Sequence, residues 1–203
     1  SDRLVVNGNL DLTRTELILQ NPDGTALTAG SVDDQIYTLA TYTGSLTGSF
    51  VENLNVPAGY LIDTSIQGQI NLVAEVPAIT ATVPVDGGTG VEIFSNLSIT
   101  FDQAVQAGGG NITLVPTAGG ANVVIAANDT SQITFTNNVV TVNPAADLLG
   151  TTDYHVLIDA TAIANGPNSA NFGGIADATT FNFTTAADPV SYTHLRAHET
   201  PAN

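Results

Sequence analysis

Residues 96–115 read NLSITFDQAVQAGGGNITLV. Leu97, Ile99 and Phe101 fall on every second position, and so do Ile112 and Leu114. Successive side chains of an extended backbone point to opposite faces, so a period of two puts each set on one side of a strand. A helix would need spacings of three and four. The Gly108–Gly110 run lies between the two strands. A phosphate cradle would need a helix start behind it, usually with a lysine, and neither is present. The run is therefore expected to form a hairpin turn.

The pattern continues outward from this stretch. Val123 and Ile125, Ile133 and Phe135, and Val140 and Val142 repeat it, as do Tyr154, Val156 and Ile158, then Phe181 and Phe183. Upstream, VPAITATVPVDGG (76–88) carries two prolines and ends on a glycine pair, which suits a linker running into an edge strand. About seven short strands with turns every 8–12 residues or so predict an immunoglobulin-like sandwich. Tyr154 follows the corner NPAADLLGTTD (143–153), where such a fold uses a tyrosine hydroxyl to tie the corner to upstream backbone. Val156 stands where cysteine-bearing versions place their second cysteine, so the contact between sheets is expected to be apolar.

Residues 1–76 also read as short strands broken by Gly, Asn and Asp. Leu10, Leu12, Leu17, Leu19, Ile36, Leu39, Leu46 and Phe50 are core candidates, with Val56, Leu61, Ile66, Ile70 and Leu72. Strands this short suit a parallel β-solenoid, in which each rung buries its apolar face against the next. No fixed period stands out in the letters.

The chain carries a formal charge of −16 and no lysine; its cations are Arg3, Arg14 and Arg196. That balance repels phosphate backbones and anionic membrane surfaces, which argues against nucleic-acid binding. Cysteine is absent, so neither a disulfide nor a thiolate zinc site can form. Without lysine there is no Lys–Asn isopeptide cross-link either. No apolar run reaches the ~18 residues of a membrane helix, so insertion into a membrane by this stretch is not expected.

Two resemblances add to this reading. YTLATYTGSLTGSF (37–50) with NVPAGYLIDTSIQGQINLV (55–73) resembles the closing rungs of bacterial autotransporter-associated β-strand repeat proteins, through Gly44, Gly48, Phe50, Pro57, Gly59, Tyr60, Ile70, Leu72 and Val73. It implies the end of a secreted, surface-exposed solenoid. PVDGGTGV (84–91), LSITFDQAVQAGGGNITL (97–114), VVTVNPAADL (139–148), TDYHVLIDATAI (152–163) and FGGIADATTFNFTT (172–185) resemble the bacterial Ig-like domains of the S-layer type (Big_5). Members are usually extracellular spacers or modules of adhesins, S-layer proteins and secreted enzymes. They commonly carry Asp-x-x-Gly-Asn before the last strand. Here IANGPNSANFGG (163–174) keeps Asn165 and Gly166 without an Asp, which puts any ion site there in doubt.

The end of the chain breaks the composition. His194, Arg196 and His198 crowd into VSYTHLRAHET (190–200), which looks like a translated sequencing adapter on a metagenomic fragment. The alternative, a metal-binding tail, would use the two histidines four apart on a helix.

Chemistry is sparse. No nucleophile elbow, phosphate loop or zinc-protease motif occurs. His155, the one histidine outside the tail, alternates with Tyr154 and Val156 and is expected to face solvent. Asp33 and Asp34 are adjacent before a strand and would point apart, unlike a glycosidase pair. The sequence requires no cofactor. Calcium is the best guess, through Asp86, Asp102, Asp159 or Asp177 in inter-strand loops.

The expected fold is all-β, with solenoid terminal rungs in 1–76, an Ig-like sandwich in 77–188 and a non-native, disordered tail in 189–203. The expected function is non-enzymatic: a stalk or spacer of a bacterial adhesin, extracellular, whose partners are neighbouring domains of the same polypeptide and surface glycans or proteins. The alternative is an accessory module of a secreted polysaccharide-active enzyme. A carbohydrate-binding module proper would show a line of exposed aromatics, and the chain has no Trp.

Overall fold

The structure is a computed structural model that describes residues 3–27, 36–166 and 170–189. Among the described residues every regular element is a β-strand. Asp33, Asp34, His194, Arg196 and His198 lie outside the described residues.

The C-terminal region begins with β9 (Ile79–Val83), β10 (Gly88–Val91) and β11 (Leu97–Phe101). Next come β12 (Val105–Ala107), β13 (Asn111–Pro116), β14 (Val123–Ala126) and β15 (Ile133–Thr136). β16 (Val139–Val142), β17 (Asp153–Ile158), β18 (Ile163–Asn165) and β19 (Asn182–Thr185) complete it. One sheet has the order β10-β19-β17-β13-β14 and the other β15-β16-β11-β9, with a small β12-β18 pair beside them. Leu97, Ile99, Val140 and Val142 from one sheet join Ile112, Leu114, Val156 and Phe183 from the other in one buried cluster. Two sheets that share a core in this way form a sandwich.

The alternation is met closely. β11 buries Leu97, Ile99 and Phe101 and turns Ser98 and Thr100 outward; β13 and β17 do the same. β9 is an edge strand, with Pro77 and Pro84 just outside its two ends. The tyrosine corner is formed: the Leu149 N–H donates to the Tyr154 hydroxyl at 3.0 Å, and the ring stacks on Phe183 at 5.7 Å. The glycine run departs from expectation. β12 pairs with β18, whereas β13 pairs with β14 and β17, so Gly108–Gly110 is a crossover and not a hairpin. A Cβ on Gly108 would collide with the Thr161 carbonyl oxygen, and one on Gly110 would lie 2.9 Å from the Asp159 Cβ. The glycines permit the chain to pass close to the 159–161 segment.

The N-terminal region comprises β1 (Leu4–Val6), β2 (Leu10–Asp11), β3 (Glu16–Ile18) and β4 (Ile36–Tyr42). β5 (Leu46–Thr47), β6 (Glu52–Leu54), β7 (Tyr60–Asp63) and β8 (Gln69–Ala74) follow. Three pairings are parallel and share one offset. Leu4 faces Ala40, Leu10 faces Leu46 and Glu16 faces Glu52, each pair 36 residues apart. The β7–β8 hairpin then adds to the far edge of β4, antiparallel, giving the order β1-β4-β8-β7.

The interior of this region is smaller. Leu12, Ala40, Tyr42 and Ile70 form one buried cluster; Leu19, Tyr60 and Leu72 form another. Leu10, Leu17, Leu39, Leu46, Phe50 and Val56 pack against these from half-buried positions. Three core expectations fail: Ile36 is 62% exposed, Leu61 41% and Ile66 48%. For Ile36 the cause is a bulge between Thr38 and Ala40. An extra residue reverses the facing of everything before it, so Ile36 points away from the side that buries Ala40 and Tyr42. Leu61 lies between the inward Tyr60 and Ile62 on β7, and Ile66 sits in the turn before β8.

Candidate functional site

The segment 75–78 joins β8 to β9 and is held at both ends. The Glu75 N–H donates to the Gly59 carbonyl at 2.6 Å, on the N-terminal side. The Glu75 carbonyl accepts Asn165 Nδ2 at 2.8 Å and Gln103 Nε2 at 3.2 Å, both from the sandwich. Three residues on, Ala78 and Asp102 bond twice: the Ala78 N–H to Asp102 Oδ1 at 2.9 Å, and the Asp102 N–H to the Ala78 carbonyl at 3.0 Å.

Asn165 is fully buried at the end of β18. Its N–H donates to the Ala170 carbonyl at 2.8 Å, and its Oδ1 accepts the Ala170 N–H at 3.2 Å. A buried amide with its donors and acceptor engaged is fixed in orientation, because leaving either end unmet costs about 1–3 kcal/mol. Its Nδ2 is thereby aimed at the linker. Beside this contact runs an open groove lined by Ile36, Val73, Ala74, Val76, Ala170 and Asn171. The arrangement contains amides and carbonyls and no nucleophile. It can hold two regions in one relative orientation.

The residues singled out for metal or acid–base chemistry are not brought together. Asp86 accepts the N–H and Nδ2 of Asn182, at 3.0 and 2.8 Å. Asp159 accepts the N–H and Nδ2 of Asn111, at 2.8 and 3.2 Å. Asp177 accepts bonds from the side chain and backbone of Thr179 and of Thr180. The Thr179 hydroxyl is the largest cause, and the carboxyl is held well below the usual carboxylate range. Each aspartate ties a loop of its own. Among the described residues no group of three or more His, Asp or Glu could hold a metal ion. The proposed calcium ligands therefore do not form one site.

His155 lies on β17, across from Val115 on one side and Asn182 on the other. It lies on the outward face as expected but is half-buried there, and its Nδ1 is shielded without a hydrogen-bond partner. Asn71 on β8 is a second residue that periodicity missed. It is fully buried with neither amide atom hydrogen-bonded. Gln103 and Asn165 carried no motif; the one pointer to Asn165 was that the family's acidic turn was absent there.

The sandwich topology and tyrosine corner define an immunoglobulin-like β-sandwich class. The family model of the bacterial Ig-like domain (Big_5) matches residues 73–185, more than half of the chain. The chain belongs to that family. Its match begins within β8, so it includes the junction with Glu75. No curated protein matches the chain. Among solved structures, the N-terminal part of the bacterial S-layer protein SbsC is similar at 12% identity and a TM-score of 0.35. That match covers 55% of this chain and 24% of the other, so the chain spans about a quarter of that structure's length.

Proposed function

We propose that this chain is a structural module of a bacterial surface protein, a non-catalytic stalk or spacer of the adhesin type that works outside the cell. Residues 1–76 act as terminal rungs of a β-solenoid and residues 77–188 as a separate Ig-like domain. Family membership supports the surface setting, and the common 36-residue offset of three parallel ladders supports the solenoid.

The observation that carries the mechanical role is the double hold on the Glu75 carbonyl by Asn165 and Gln103. Adjacent domains joined by a free linker reorient by default. Here the linker backbone is bonded to the sandwich at Glu75 and again at Ala78, which turns a hinge into a strut. The charge of −16 opposes association between neighbouring stalks.

Small-angle scattering on the full chain and on an N165A/Q103A double variant tests this. One narrow distribution of end-to-end distances is expected for the full chain, and a broader one for the variant with the sandwich still folded. A full chain already as broad as the variant would end the strut reading.

A further inference from the structure

We propose that Asn165–Gly166 is a modification site, a spontaneous deamidation site that the joint between the two regions holds closed and that, once reacted, keeps the joint open. This rests on the strut reading of Glu75, Gln103 and Asn165 and adds a chemistry to the same residues.

An asparagine followed by glycine carries its own electrophile and nucleophile. The glycine backbone nitrogen, on losing its proton, attacks the asparagine Cγ. A C–N bond forms, the Cγ–Nδ2 bond breaks, and Nδ2 takes up a proton and leaves as ammonia. Water then opens the cyclic imide at either carbonyl, leaving aspartate or isoaspartate. Glycine has no Cβ to crowd the ring closure, so it is the successor that hinders it least. The chain has two Asn-Gly pairs, Asn7–Gly8 and Asn165–Gly166.

With the joint closed, every reacting group at Asn165 is engaged elsewhere. The Gly166 N–H, the attacking group, donates to the Ala104 carbonyl at 3.0 Å. Nδ2, the leaving group, donates to the Glu75 carbonyl at 2.8 Å and to Gln103 Oε1 at 3.4 Å. Oδ1 accepts the Ala170 N–H at 3.2 Å. Asn165 is 0% exposed, which keeps out the water that the second step consumes. Of these contacts only the one to Glu75 crosses the joint. Opening the joint therefore frees the leaving group and admits water. The last restraint is then the Gly166 bond, at the frayable end of the three-residue β18.

The glycine itself is a second pointer. Gly166 lies outside the left-handed region, and a Cβ there would meet the Ala104 carbonyl oxygen at 3.9 Å, an ordinary contact. Gly174 differs, with φ +88 at its neighbour Gly173 and a Cβ position that collides with the Ile158 carbonyl. At 166 neither conformation nor space demands glycine; what glycine supplies there is reactivity. The product cannot restore the hold. A carboxylate oxygen in place of Nδ2 would set an acceptor against the Glu75 carbonyl and Gln103 Oε1. Its charge would be buried in a chain that has no lysine to pair with it. Isoaspartate also lengthens the main chain by a methylene at the end of β18. The joint is thus a latch that keeps a permanent mark of having opened.

The test incubates the full chain in mildly alkaline buffer, reading Asn165 by peptide mass spectrometry and the joint by small-angle scattering on the same samples. In urea Asn165 should convert as fast as Asn7, and in native buffer about tenfold or more slowly. Gln103→Ala loosens the joint with Asn165 and Gly166 in place, and should raise the native rate toward the urea rate. Gly166→Ala should slow conversion in urea about tenfold or more and leave the distance distribution of the fresh chain narrow. Asn165→Asp should scatter broadly from the start, with the sandwich melt retained. Native conversion at the urea rate, in a chain that scatters narrowly, would overturn the proposal and leave the strut standing. So would a Gln103→Ala chain that scatters broadly yet converts no faster, or an Asn165→Asp chain as narrow as the unmodified one. A fresh unmodified chain that scatters broadly would end the strut reading and the latch with it.

Discussion

The two regions are built from the same kind of strand and bury it differently. In the sandwich, two sheets face each other, and each inward side chain meets a layer opposite; Ile99, Ile112, Leu114, Val140 and Phe181 reach 0% exposure. In the N-terminal region the strands form three parallel pairings offset by 36 residues, with the β7–β8 hairpin added antiparallel. Ile70 and Leu72 at 2% are its deepest apolar residues, the buried residues form two small clusters, and most of the apolar side chains around them are half-buried. Burial by facing sheets is complete within one domain. Burial in small, separate clusters leaves more of each strand's apolar face at the surface.

The sharpest way to break that comparison is to separate the regions. Residues 77–188 expressed alone should melt in one cooperative transition, and residues 1–76 alone should show none, by calorimetry. A cooperative transition in the shorter piece would remove the distinction. Within the sandwich, Phe101→Ala deletes a ring that is 1% exposed and packs edge-on against Phe172 at 5.1 Å. It should cost about 3–5 kcal/mol in denaturant unfolding. A loss below about 1 kcal/mol would mean that the core is not shared between the sheets.

Gly44→Ala attacks the N-terminal region where the 44–45 corner passes close to Asn9. The new methyl must displace Asn9 or its backbone, which should cost about 1–3 kcal/mol and appear as faster exchange at Leu10 and Leu12. The sandwich melting point should stay unchanged. If that point falls in parallel, the regions unfold as one. Asn71→Val runs in the opposite direction. Asn71 is buried between Thr38 and Asp63 across the strands with no hydrogen bond, so an apolar side chain should raise stability by about 1–2 kcal/mol. A loss would show that the amide has a role in binding or folding.

The smallest effect expected is on acid stability, and it spans both regions. Asp11, Asp23, Asp63, Asp129 and Asp177 each accept the backbone N–H of a Ser or Thr two residues on. All five carboxyls are held below the ordinary value of 3.8, chiefly by hydrogen bonds to that Ser or Thr. A lowered folded-state pKa means that the folded chain binds fewer protons than the unfolded one. The contribution is therefore whole above pH 3.8 and is lost as pH falls through the lower folded values. Asp177→Asn should flatten the acid limb of a melting-point profile between about pH 4 and 2. Asp11, Asp23 and Asp177 are exposed and Asp63 and Asp129 half-buried, and solvent screening keeps the effect small. An unchanged acid limb would show that the Asp177 turn contributes nothing.

How much was legible differs by region for the same reason. In the sandwich, one face of each strand is wet and the other dry. Hence Leu97, Ile99 and Phe101, or Tyr154, Val156 and Ile158, announce their own facing. The residues missed there, Ile93, Leu148, Ile163 and Ile175, sit in irregular segments or a short strand where no period of two can build up. The N-terminal pitch was hidden for another reason. Strand residues repeat at 36, as Leu10 with Leu46 and Glu16 with Glu52, but the corners do not: Leu12 answers to Gly48 and Arg14 to Phe50. A repeat kept in backbone pairing and lost in side chains leaves little trace in the letters. The junction was hidden as well, since Glu75, Gln103 and Asn165 are up to 90 residues apart and polar.

The amino-acid order alone determined that this chain forms strands, which faces of the sandwich strands go inward, where Tyr154 would cap a corner, and that cysteine and lysine chemistry is closed to it. Each of these follows from a residue and its near neighbours. Only the tertiary structure decided the common 36-residue offset of three parallel pairings, the outward turn of Ile36, the room Gly44 makes for Asn9, and the hold of Asn165 on the Glu75 carbonyl. These depend on which distant segments meet, and a local pattern of side chains carries no record of that meeting.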